Sequence, residues 1–168
     1  MKKIVLVLLA LSFLLVPAAM AETKIARVDL QKALNTSKAG VKAKEEIGAL
    51  VKKKEAEFKS KKDALLTMKS ELEKQAGLLA ESAFADKKRE YEKKVVDLQL
   101  FEKQVKEELQ QKDNALTKKI IDELDATLKE ISNKGGYNLV LSEGTFIYAD
   151  ETIVDLTDEL IKSYDAKK

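Results

Sequence analysis

The residue types that most often carry covalent chemistry are missing from this chain: its 168 residues include no histidine and no cysteine. That removes the usual proton shuttle, the soft metal ligands and the thiolate nucleophile together. Gly135-Gly136 precedes an apolar, strand-like run, which is the wrong order for a glycine loop that cradles phosphate at a helix start. One dense carboxylate group exists, formed by Asp150, Glu151, Asp155, Asp158 and Glu159. It lacks the ligand spacing of a calcium loop and reads as a turn followed by a negatively charged helix start. No catalytic residue, metal site or cofactor is therefore expected, and an enzyme is the weakest of the functional readings.

The remaining candidates are suited to binding. Lys87-Lys88-Arg89 is the sharpest basic cluster and has the chemistry to meet phosphate, for instance on a lipid headgroup. Asp86, Glu90 and Glu92 flank it, so a solvated helix face is the plainer reading. Leu78, Leu79 and Phe84 lie within residues 77–85, a stretch with one charge, Glu81. They either meet an apolar partner or pack on each other to close a turn.

These residues sit on the stretch that dominates the chain, Ser37 to Ile131, which has no proline and reads as two long antiparallel helices. In the first, Val51, Phe58, Leu65, Leu72 and Leu79 fall seven apart and form one apolar stripe. The companion ladder Ile47, Lys54, Lys61, Met68 and Gln75 is half polar, so the seam is narrow, enough for one partner helix. At 1.5 Å per residue, Ser37 to Ala80 would reach about 65 Å, too long for a compact domain of this size. Gly77 weakens the helix, and the turn is expected near Glu81 and Ser82 with Ser82 as cap. In the return helix Leu98, Leu109, Ile120 and Ile131 fall eleven apart, with Phe101, Val105, Leu116, Leu124 and Leu128 between. Sevens favour a left-handed course and elevens a straight or right-handed one, so the two arms are expected to diverge somewhere along their length.

Residues 22–36 and 132–168 make a small β-rich body around the arm of residues 37–131. Lys24 to Asp29 alternates like a strand, and Asp29 can cap a helical turn over Leu30 to Leu34. Tyr137–Leu141 and Thr145–Ala149, joined by Ser142-Glu143-Gly144, read as a β-hairpin, and Asp155 can cap a last helix through Tyr164. Three strands leave edges exposed, and with no disulfide to add stability, neighbouring copies are expected to complete the sheet. The fold class is α+β, mostly α: a coiled-coil-like hairpin projecting from a small body.

Met1 to Ala21 has the layout of a secretory signal peptide: Lys2 and Lys3, an apolar run from Ile4 to Val16, Pro17, and the small-x-small site Ala19-Met20-Ala21. It carries two lysines and no acid, so the rest of the chain is formally neutral. From Lys38 to Lys112 nineteen basic residues face fifteen acidic ones, while from Asp113 onward seven face twelve. A mildly basic arm on an acidic remainder suits steering of partners more than nucleic-acid binding, which is not expected.

In order and over the whole length after the signal peptide, the chain resembles the Skp/OmpH periplasmic chaperones. The match rests on Ile25-Ala26-Arg27-Val28-Asp29, the two long charged helices, Tyr137-Asn138-Leu139-Val140-Leu141, Ile147-Tyr148-Ala149-Asp150 and Asp155-Leu156-Thr157-Asp158-Glu159-Leu160-Ile161. The resemblance implies a homotrimer whose body strands form a small barrel, with Ile25, Val28, Leu139, Leu141, Phe146 and Tyr148 at the interface. It implies an ATP-independent holdase in the periplasm that shields unfolded outer-membrane proteins between its arms. Leu78, Leu79, Phe84, Lys54, Lys61 and Met68 are the candidate client contacts; a lipopolysaccharide or membrane-surface contact falls to Lys87, Lys88 and Arg89. Members of that family are often strongly basic and this chain is neutral, which leaves only the arms' surplus for attracting acidic clients. The rival reading is a structural spacer or adaptor of the cell envelope, with a fixed partner and no need of a cavity.

Overall fold

The computed structural model describes residues 23–168; the expected signal peptide lies outside the described residues. Strand β1, Ile25–Val28, leads into helix α1, Leu30–Thr36, whose first turn is closed by Asp29 accepting from the Lys32 amide at 2.7 Å. Ser37, fully buried, then does two things at once. Its amide donates to the Ala33 carbonyl at 3.0 Å, ending α1, and its hydroxyl accepts from the Gly40 amide at 3.2 Å, opening helix α2, Lys38–Gln75. Gly40 is needed there, because a Cβ would collide with the Leu34 carbonyl group.

Helix α2 has 38 residues and helix α3, Glu81–Gly135, has 55, so the two are about 57 and 82 Å long. Both apolar ladders of the sequence face inward: Val51, Phe58, Leu65 and Leu72 are half-buried on α2, as are Leu98, Phe101, Val105 and Leu109 on α3. The turn between the helices comes earlier than the sequence suggests. Gly77, at φ 81°, reverses the chain, and α3 starts at Glu81 after Ala80, with no side-chain cap from Ser82. Glu81 itself lies in the first turn, where its negative charge complements the positive end of the helix dipole. At the far end Gly136, at φ 69°, caps α3, and the Tyr137 amide reaches back to the Ser132 carbonyl at 3.0 Å.

The sheet has β1 in the centre, with strand β2, Leu139–Ser142, on one side and strand β3, Val154–Asp155, on the other, both parallel to it. Ile25 pairs with Leu139 and Arg27 with Leu141, while Ala26 pairs with Val154 and Arg27 with Asp155. The expected hairpin does not form. Gly144, at φ 88°, and a turn from the Thr145 amide to the Ser142 carbonyl carry the chain away from β2. By then β1 has its second edge reserved for Val154 and Asp155, so residues 145–149 find no ladder within the chain. The carboxylate-rich stretch of residues 150–159 supplies this third strand in addition to a turn and a helix start.

Helix α4, Thr157–Asp165, packs with α1 and the last third of α3 beneath one face of the sheet. Ala26, Val28, Leu124, Leu156, Leu160 and Tyr164, each at most 1% exposed, form the core. Full burial of each of these leucines contributes about 1.5–3 kcal/mol. Because Ile120, Leu124 and Ile131 belong to this cluster, the base of the arm and the body share one core. The Tyr164 hydroxyl donates to Glu123 at 2.6 Å, the Asp29 amide donates to the Thr157 hydroxyl at 2.8 Å, and the Lys38 amide donates to Asp165 at 2.9 Å. Those bonds fasten α4 to α3, to the end of β1 and to the start of α2.

Candidate functional site

Beyond this core lie three surfaces: the seam of the arms, their tip, and the open face of the sheet. In the seam, Lys54 is drawn inward, with 18% of its side chain exposed, and its ammonium meets Glu108 of the opposite helix at 2.7 Å. That bond raises the Lys54 pKa. Lys112 meets Glu46 in the same cross-arm manner, and lowers the glutamate's pKa chiefly by its hydrogen bond. Lys61 is exposed, with its ammonium 5.1 Å from the centre of the Phe101 ring; Lys54 lies 6.0 Å from that centre. Met68 is half-buried in the seam. Lys54 and Met68 are thus drawn into the seam, while Lys61 reaches across it and stays exposed.

Two hollows lie between the arms. Between Val51, Lys54, Glu55 and Phe58 on α2 and Phe101, Glu102, Val105 and Leu109 on α3, a cavity of about 310 Å³ opens. A second, of about 510 Å³, lies at the base of the arm among Leu34, Gly40, Ile47, Gly48, Leu116 and Ile120.

At the tip, Leu78 is 81% exposed while Leu79 and Phe84 are half-buried, so one of the three apolar candidates stands free and two close the turn. The basic cluster is divided among local partners. Lys87 donates across the tip to Gln75 at 2.8 Å, Lys88 sits 3.9 Å from Glu92, and Arg89 sits 3.0 Å from Asp86. All three remain exposed, and surface pairs of this kind contribute little to stability.

The sheet covers its inner face with helices and leaves the other open. Parallel pairing puts Ile25, Arg27, Leu139 and Leu141 on the open face. Val28 points the other way and is 1% exposed in the chain's own core, so its candidate place on an interface between copies is corrected: it has no surface to offer. Arg27 reaches Asp155 at 3.4 Å and Glu143 at 3.9 Å, tying the strands on both sides of it. In the segment after β2, Phe146 is half-buried, Tyr148 is 79% exposed and Ile147 is completely exposed. Ile147 belongs to a segment that carries the family resemblance but is not among the interface candidates, since alternation gives it no more weight than its neighbours.

The carboxylates are spent individually. Asp150 accepts from the Thr152 amide at 2.9 Å and is held below its usual pKa by it, Asp155 accepts from the Thr157 amide at 2.9 Å, and Asp158 meets Lys32 at 2.8 Å. Among the described residues no group of three or more acidic side chains is placed to hold a metal ion. No helix among them is long and apolar enough to cross a membrane.

Comparison with known proteins agrees with this architecture. The sequence pattern of a family described as "Outer membrane protein (OmpH-like)" matches residues 24–164. A Pseudomonas aeruginosa protein named "Skp-like protein" is 30% identical over 148 residues, covering 84% of each chain. The crystal structure of a candidate outer membrane chaperone (OmpH-like) from Caulobacter crescentus superposes with a TM-score of 0.82 at 16% identity, covering 88% of this chain and 87% of the other. That likeness is one of fold.

Proposed function

This chain belongs to the OmpH-like family of outer membrane proteins, and on that premise we propose that it is a periplasmic holdase, which receives unfolded outer-membrane proteins between its arms and keeps them from aggregating without nucleotide. The family match across residues 24–164 is the observation that carries the reading. The arms' construction supports it. A seam that consumes most apolar residues leaves walls of lysine and glutamate with scattered apolar contacts such as Leu66, Val96 and Leu100, each more than half exposed. Lysine stems and isolated apolar side chains offer many weak contacts, which sum to useful affinity without fixing a client in one conformation.

The body, residues 22–36 and 132–168, is the assembly unit of a homotrimer in this reading, with the arm of residues 37–131 projecting from it. The open sheet face of Ile25, Leu139 and Leu141, and the exposed Ile147 and Tyr148 of the segment that follows, favour burial against further copies. The unpaired outer edge of β2 favours it too. The tip, with Leu78 beside Lys87, Lys88 and Arg89, is the place for a weak contact with lipopolysaccharide or the membrane surface.

The test is to dilute a denatured outer-membrane barrel protein into buffer with and without the chain lacking residues 1–21, and to follow light scattering. Suppression at molar excess of trimer is the expected result; unchanged scattering overturns the holdase. Deleting residues 54–105 is expected to abolish protection while sedimentation still reports a trimer. A trimer lost with that deletion would contradict assembly through the body and leave a rigid coiled-coil spacer as the better reading.

A further inference from the structure

The seam of the arms carries a feature that helix pairing alone does not require. Seam residues on α2 recur every seven positions, Val51 to Phe58, and on α3 every eleven, Leu98 to Leu109. Helices with unequal repeats drift out of register, and where the drift is greatest side chains no longer interdigitate. A cavity of about 310 Å³ lies between residues of the two patterns, Val51 and Phe58 from the sevens and Phe101, Val105 and Leu109 from the return helix. A water molecule takes about 30 Å³ of the liquid, so this is room for a large side chain, not a packing fault of one methyl group.

Its walls are selective. Phe58 and Phe101 contribute two rings, both half-buried, so that part of each remains reachable. Lys61 and Lys54 lie over Phe101 at 5.1 and 6.0 Å. Lys54 is neutralised by Glu108 at 2.7 Å, and Glu55 and Glu102 oppose the lysines on the rim, so the mouth has no single sign of charge. The mixed rim favours neither sign of charge over the other, whereas a neutral ring can stack on Phe58 or Phe101 and receive the lysine stems.

The geometry points to a subsite, one in each arm, that takes an aromatic side chain of an unfolded polypeptide. It rests on the holdase reading and deepens it, because outer-membrane barrels carry girdles of aromatic residues at both membrane interfaces. An aromatic residue in each such slot tethers the client at several points while its backbone stays free.

The experiment uses the full chain lacking residues 1–21, with valine and leucine methyl groups labelled for NMR. It is titrated with a short, neutral, strand-forming peptide containing phenylalanine and tyrosine, and with the same peptide carrying leucine at those positions. The expected result is ring-current shifts at Val51, Val105 and Leu109 with the aromatic peptide, and affinity about fivefold weaker for the leucine peptide. Val105→Phe, which fills the slot, is expected to remove that difference while the melting curve shows a folded protein. If that variant does not fold, the two-peptide comparison on the unaltered chain decides alone.

Equal affinity for both peptides, shifts confined to Leu78 and Leu79, or shifts that follow protein concentration without peptide would overturn the subsite. The last result would mean that a second copy occupies the slot. Failure of the two readings is distinguishable. Protection of a barrel client with no discrimination between peptides removes the subsite and keeps the holdase; discrimination without protection does the reverse.

Discussion

Replacing Gly40 and Gly48 by alanine makes one chemical change twice, eight residues apart on α2, with opposite expected outcomes. In a helix interior alanine is favoured over glycine by about 1 kcal/mol, through lower backbone entropy in the unfolded chain. At Gly48 a Cβ meets no atom within 4 Å, so the whole gain is realised. At Gly40 the Cβ would come to 2.9 Å from the Leu34 carbonyl carbon and closer to its oxygen. These are backbone atoms and cannot swing aside, so the junction of α1 and α2 must open. Overpacking of this kind costs about 3 kcal/mol, and the opening also pulls the Gly40 amide from the Ser37 hydroxyl, a cap worth about 1 kcal/mol. Gly40→Ala should therefore destabilise by about 3 kcal/mol net. For a chain of this length 1 kcal/mol moves the melting temperature by about 2–4 °C. Far-UV circular dichroism melts, at one fixed protein concentration because an oligomer's midpoint depends on it, should show Gly48→Ala a few degrees above the parent and Gly40→Ala about 10 °C below. A Gly40→Ala protein that melts at or above the parent would refute the close approach of α1 and α2.

Leu124→Ala, at a residue with no exposure, should cost about 2–5 kcal/mol in urea titration, whereas Leu66→Ala, 57% exposed on the arm, should stay within about 0.5 kcal/mol. Tyr164→Phe keeps the buried ring and removes the hydroxyl's bond to Glu123, a loss of about 1–1.5 kcal/mol, since Glu123 retains Lys168 at 2.8 Å. The same site has a pH signature. Lys168 first and Tyr164 second hold the Glu123 carboxyl below its ordinary 4.5, so its stabilising effect is complete above that value and lost as pH falls through the lower folded value. In denaturant titrations from pH 6 downward, Glu123→Gln should flatten the acid limb relative to the parent; superimposable limbs would contradict the linkage. Gly136→Ala, at φ 69°, should cost about 1 kcal/mol by straining the end of α3, and no change in melting would argue against that cap.

The arms were legible because their information is local and repeated. Val51, Phe58, Leu65 and Leu72 mark the buried side of α2 without reference to anything distant, and the eleven-residue spacing does the same for α3. A cap was legible where one residue does the work, as at Asp29. Where two signals competed, at Gly77 and Ser82, the positive φ of glycine turned the chain and the serine stayed within the helix. For the candidate surfaces the residue types were readable but their employment was not: Lys54 and Met68 read as wall contacts, and Glu108 and the seam took them inward.

What the sequence by itself determined is a proline-free hairpin with a narrow seam, a body split around it, and the absence of histidine and cysteine, since periodicity and residue type are properties of the chain. Which strands pair was decided only in three dimensions. Thr145–Ala149 has as good a strand pattern as Leu139–Ser142, yet β1 has two edges, and Ser142 and Val154 reach them because α3 and α4 pack beneath the same core. The slot between the arms belongs to neither helix. Each repeat was visible alone, but which residues of one helix face which of the other, as Lys54 faces Glu108 and Glu46 faces Lys112, is set only when the two are packed together.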